Sequence, residues 1–113
     1  MKIQVNTDDN IEGREALAEQ VSATVENALR RYTDQITRVE VHLGDENAGK
    51  SGQRDQRCMV EARLEGRQPV AATALAATLP QAVQAAADKL ARQLETQLGR
   101  LTTAQRSNAH KEV

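Results

Sequence analysis

The chain contains no phenylalanine and no tryptophan, and Tyr32 is its single aromatic residue. Without aromatic rings, the core must be filled by short aliphatic side chains, mainly alanine, valine and leucine. The same lack excludes a base-stacking platform for single-stranded nucleic acid, which needs several exposed rings. Cys58 is the only cysteine, so an internal disulfide is ruled out. No apolar run is long enough to span a bilayer, and the first residues lack the charged-then-apolar pattern of a secretory leader. The expected location is therefore the cytoplasm, with no membrane partner. Neither sign of charge is in excess: 15 basic against 16 acidic residues give a net charge of −1 and a pI of about 6.1. A general nucleic-acid binder is usually basic overall. Any such contact here must rest on the local sorting of charge.

What is present suits a small soluble domain. At 113 residues, with 39% hydrophobic and 27% charged, the chain is expected to form one domain with a modest core over residues 1–101. Residues 102–113 form a polar tail, expected to be frayed or flexible. Residues 2–6 alternate apolar and polar and predict a first strand. Leu17, Val21, Val25, Ala28, Leu29 and Tyr32 form the stripe of a first helix from about Gly13 to Tyr32, with Glu26 and Arg30 four apart and able to pair. Val39, Val41 and Leu43 predict a second strand, and Cys58, Val60, Ala62 and Leu64 a third. Glu65-Gly66-Arg67-Gln68 is a tight turn into a fourth strand whose inner face carries Val70, Ala72 and Ala74.

The last helix is expected over residues 80–101, with Leu79, Val83, Ala87, Leu90, Leu94 and Leu101 on its buried face. Thr78 and Gln81 have the spacing of a capping box, with Pro80 tolerated in the first turn. The order β-α-β-β-β-α predicts an α+β fold: a four-stranded sheet with two helices packed on one face, a right-handed first crossover and an antiparallel meander after it.

Four patterns raise the question of chemistry. Gly44-Asp45-Glu46-Asn47-Ala48-Gly49-Lys50-Ser51 matches the phosphate-loop pattern G-x-x-x-x-G-K-S. That motif works because its lysine and serine open a helix whose N-terminal amides cradle phosphate. Here a short polar stretch and then a strand follow, and Asp45 and Glu46 add negative charge, so a hairpin loop is the better reading. His42, His110 and Cys58 do not make a metal constellation, since His42 is expected on the solvent side, His110 in the tail and Cys58 in the core. Glu61 and Glu65 are expected to share the outer face of the third strand as solvated carboxylates rather than an acid–base pair. No catalytic spacing, cofactor site or small-molecule substrate site is expected.

The fourth pattern lies in the last helix. Winding it at about 100° per residue puts Lys89, Arg92 and Arg100 toward one flank of the buried stripe, and Asp88 and Glu95 toward the other. A sorted basic flank suits phosphates, but from composition alone an ordinary solvated helix face, with Asp88 pairing to Arg92, is the commoner explanation, because mixed surface charge is common. Arg30 and Arg31 end the first helix, where its dipole also favours cations.

The topology, together with Asp88-Lys89-Leu90-Ala91-Arg92-Gln93-Leu94, resembles the ribosome hibernation-promoting factors, also called ribosome-associated inhibitors or ribosomal subunit interface proteins. Ile11-Glu12 with Glu15-Ala16-Leu17 resembles the family's approach to the first helix, and Val39-Glu40-Val41-His42-Leu43 its second strand. The likeness covers roughly residues 1–101 and implies a short form without the C-terminal dimerisation domain. It implies a non-enzymatic translation inhibitor that binds the small ribosomal subunit under stress and occupies the messenger and transfer RNA channel. Lys89 and Arg92 match basic positions of the motif that contact ribosomal RNA phosphates; Arg30, Arg31 and Arg100 are added by their place on the helices. Where the family carries further lysines and arginines, this chain has Glu95-Thr96-Gln97-Leu98-Gly99, which implies weaker and more salt-sensitive RNA binding. The alternative is a divergent relative that uses the same fold as a protein-interaction module.

Overall fold

A computed structural model of the chain describes the backbone of residues 1–7, 14–45 and 56–110, and the side chains of these except Arg14, Asp45 and those beyond Leu98. Strand β1 (Lys2–Thr7) leads to helix α1 (Arg14–Ala28) and a 3₁₀ turn (Arg30–Tyr32). Then come β2 (Ile36–Asp45), β3 (Gln56–Leu64), β4 (Val70–Ala76) and α2 (Leu79–His110). The order is the expected β-α-β-β-β-α. The strands lie side by side in chain order, with β1 parallel to β2 and with β2, β3 and β4 an antiparallel meander. Helix α1 crosses from β1 to β2, while α2 packs over β3 and β4.

Period-two alternation sends one set of side chains to a single covered face. Val39, Val41, Leu43, Cys58, Val60, Ala62, Val70 and Ala72 are buried there with Val21 and Val25 of α1, Leu29 just after it, and Val83, Leu90 and Leu94 of α2. In the absence of aromatic bulk, Leu29, Leu90 and Leu94 are the largest fully buried side chains. The alternation is interrupted once. Ile36 pairs with Leu64 and Arg38 with Arg63, leaving Thr37 as the extra residue of a bulge. The Thr37 hydroxyl donates to the Arg63 carbonyl at 3.1 Å. This insertion turns Ile36 inward together with Val39, although the two are an odd number of residues apart.

Helix boundaries differ from the sequence expectation at two points. The first α-helix stops at Ala28, and the chain tightens into the 3₁₀ turn, with Tyr32 N–H donating to the Leu29 carbonyl at 2.9 Å. Three residues per turn align Leu29 with Tyr32, so both remain buried. The helical backbone of α2 runs to His110 rather than to residue 101. Its start is as expected: the Gln81 N–H donates to the Thr78 hydroxyl at 3.3 Å, the Ncap half of the capping box. The β3–β4 turn also forms, closed by Arg67 N–H to the Leu64 carbonyl at 3.3 Å, with Gly66 at φ +71°, a conformation that favours glycine.

Within the phosphate-loop match, residues 46–51 lie outside the described residues. Its two ends are informative: Asp45 pairs directly with Gln56, so the segment joins antiparallel neighbours. Only four residues separate Ser51 from β3, too few for the helix a phosphate loop requires.

Burial removes Cys58 from chemistry. Desolvation pushes its thiol up to about 12, with the Arg57 charge pulling weakly the other way. The folded thiol keeps its proton at a pH where the unfolded one would ionise. Its contribution to stability is therefore complete below about pH 9 and is lost as pH rises through about 12. Cys58 should resist alkylation in the native state at pH 8 and react at once in denaturant, as followed by mass spectrometry. Rapid native labelling would contradict its placement in the core.

Candidate nucleic-acid interface

The two surfaces of the molecule handle positive charge differently. On the open sheet face Glu40, itself mostly buried, lies 3.8 Å from Arg38 and 3.4 Å from Arg63. Arg63 also lies 3.7 Å from Glu61, and His42 Nε2 is 3.8 Å from Glu40. Arg38 in addition donates to the Gln4 side-chain oxygen. These cations are compensated within the sheet. Glu65 is not part of this ladder, because it falls in the turn after β3 rather than on the strand. His42 lies on the open face as expected; the side chain of His110 is outside the described residues.

On the helices the candidate cations meet neutral atoms. The Lys89 ammonium donates to the Thr73 carbonyl of β4 at 3.3 Å. Arg30 donates to the Asn27 side-chain oxygen at 3.0 Å. The Arg31 guanidinium sits 5.9 Å from the centre of the Tyr32 ring, a cation–π contact that preserves its charge. Arg92 is exposed and its side chain has no partner among the described residues.

Two ion pairs expected from the sequence are replaced. Asp88 accepts from the Gln84 amide at 2.9 Å instead of pairing with Arg92. Arg30 lies beyond the end of α1, so it loses the one-turn alignment with Glu26 and turns to Asn27. Among the described residues, none of Lys89, Arg92, Arg30 and Arg31 forms an ion pair.

The four cations do not make one patch. Lys89 reaches the free edge of β4, on the side of α2 away from α1, with Arg92 one turn further along the same helix. Arg30 and Arg31 sit at the end of α1, which packs against β1 at the opposite edge of the sheet. Arg100 belongs to the helical backbone of α2, and its side chain lies outside the described residues.

The family model described as Sigma 54 modulation protein / S30EA ribosomal protein matches residues 3–102. The chain belongs to this family. S30EA membership agrees with the likeness to hibernation-promoting factors carried by the Asp88–Leu94 segment and the strand order. Among solved structures, the chain is similar to the N-terminal domain of Protein Y from Thermus thermophilus. The TM-score is 0.67 and the identity 26%, over 85% of this chain and 98% of that one. It is also similar in fold to a ribosomal subunit interface protein from Coxiella burnetii, with a TM-score of 0.62 and 21% identity over 91% of this chain and 99% of that one. No curated protein matches the chain significantly.

Arg67 is a cation that sequence reasoning did not select. The sequence shows it only as a turn residue. Its neighbour Gln97 is 30 positions away, and no local pattern signals their meeting.

Proposed function

We propose that this S30EA-family chain is a ribosome-binding translation inhibitor that binds the small subunit and occupies its messenger and transfer RNA channel under stress. The observation that carries this reading is the contrast between the two faces. Arg38 and Arg63 of the sheet are neutralised by Glu40 and Glu61, whereas among the described residues Lys89 and Arg92 of α2 and Arg30 and Arg31 of the 3₁₀ turn have no carboxylate partner. Such cations gain affinity by releasing the counterions condensed on RNA phosphates. Base reading is not required, because phosphate contacts position the protein and the folded ribosomal RNA supplies the shape. The family match supports the ribosome-binding part of this reading, and the fold shared with the Protein Y domain and the subunit interface protein agrees with it. The role requires no catalytic group and no cofactor, and it places the protein in the cytoplasm with the ribosomes.

Competition tests channel occupancy directly. Small subunits carrying messenger RNA and initiator transfer RNA should bind the chain far more weakly than vacant subunits. Equal binding to both would place the chain elsewhere on the ribosome.

A further inference from the structure

We propose that the cleft between the β3–β4 turn and α2 is a second RNA-contact site that takes one phosphate and its ribose; the proposal rests on the ribosome-binding reading above. The cleft is open, has a volume of 620 Å³ and is lined by Gly66, Arg67, Gln68 and Gln97. Its groups converge without being used. Among the described residues, the side chains of Arg67, Gln68 and Gln97 have no hydrogen-bond or ionic partner and no carboxylate lines the cleft. The left-handed Gly66 and the bond from Arg67 N–H to Leu64 fix the turn that presents the guanidinium, and the absence of a Cβ at Gly66 leaves the turn backbone open to the cleft.

The chemistry fits a nucleotide backbone. A guanidinium holds a phosphate through two parallel N–H donors. Each glutamine amide offers both a donor and an acceptor, matching a ribose 2′-hydroxyl, which is likewise both. Among the described residues the cleft is lined by an arginine, two glutamines and a glycine, with no apolar side chain to anchor a peptide.

Position strengthens the case. Gln97 is eight residues beyond Lys89, about 12 Å along the helix axis. On the other side, Glu65 N–H donates to the Gln35 carbonyl at 3.3 Å and Gln35 N–H to the Tyr32 carbonyl at 3.0 Å. Those bonds tie the turn to the segment that carries Arg30 and Arg31. The cleft therefore lies at the end of the molecule where the C-terminal half of α2 and the segment of Arg30 and Arg31 both approach the turn, with exposed Glu65 and Asp34 limiting which side of the turn a phosphate can use.

The test compares wild type, Arg67→Gln, Gln97→Glu and Lys2→Gln for binding to purified small ribosomal subunits across about 50–200 mM salt. Arg67→Gln should weaken binding roughly three- to tenfold and reduce the salt slope by about one. Gln97→Glu should weaken it with Arg67 intact, because it places a carboxylate beside the phosphate. Lys2→Gln makes the same charge change on β1, at the far edge of the sheet, and should match wild type. Melting curves establish that each variant is folded, and if Arg67→Gln is not, Gln97→Glu decides. Wild-type affinity and slope in both cleft variants would overturn the proposal while leaving ribosome binding intact, as would an equal loss in Lys2→Gln. Failure of the wild type itself to bind would instead remove the ribosome-binding reading and this site with it.

Discussion

Reversing charge at Lys89 and Arg92 together should reduce affinity for small ribosomal subunits by roughly a hundredfold or more at low salt and flatten its salt dependence. Each substitution removes a cation from the outer flank of α2 and puts an anion in its place, so attraction to phosphate becomes repulsion. The single variants should separate binding from folding. The Arg92 side chain has no partner among the described residues, so Arg92→Glu should lower affinity while changing stability by less than about 0.5 kcal/mol. Lys89 also satisfies the Thr73 carbonyl on the free edge of β4, and Lys89→Glu would set a carboxylate against that oxygen. It should therefore lower the melting temperature as well as the affinity. Sedimentation binding and thermal melts on the same samples check both. Unchanged affinity in the double variant would remove this flank from the interface.

Leu90→Ala should destabilise the fold by about 2–5 kcal/mol, lowering the melting temperature by more than about 10 °C. Leu90 is fully buried under α2, which packs over β3 and β4. The loss is a large fraction of the roughly 5–15 kcal/mol that holds such a domain together. A chain without Phe or Trp has few large side chains to spare, and the neighbouring alanines Ala86 and Ala87 are too small to fill the space. Leu75→Ala is the control. Leu75 is 51% exposed on β4, and its truncation should cost less than about 0.5 kcal/mol. Equal losses at the two positions would contradict the assignment of faces.

The architecture was legible because the patterns that determine it are local. Leu17, Val21 and Val25 carry the helical period, and Val39, Val41 and Leu43 the strand period, and both survive in the structure. Thr78 and Gln81 meet at the start of α2 as their spacing implies. The Thr37 bulge was invisible, because alternation cannot reveal a residue inserted on one strand only. The 3₁₀ turn was missed because Tyr32 keeps its place on the stripe whether the chain winds by 3.6 or by 3 residues per turn.

The interface was less legible. Spacing selected Asp88 as the partner of Arg92, yet Gln84, four residues earlier, also aligns with Asp88, and its amide takes the carboxylate. Composition counted Arg38 and Arg63 with the other cations, although Glu40 and Glu61 neutralise them through contacts between neighbouring residues and across strands. Arg67 and Gln97 come together only through the packing of α2 beside the β3–β4 turn, which no periodicity encodes.

The central claim is that the uncompensated helix cations hold this S30EA-family chain to ribosomal RNA. Co-sedimentation of the full chain with purified small subunits over a salt series tests it most directly. The chain should migrate with the subunits at about 50 mM salt and be released progressively by about 200 mM, as counterion release requires. A chain that stays at the top of the gradient at the lowest salt would contradict the account.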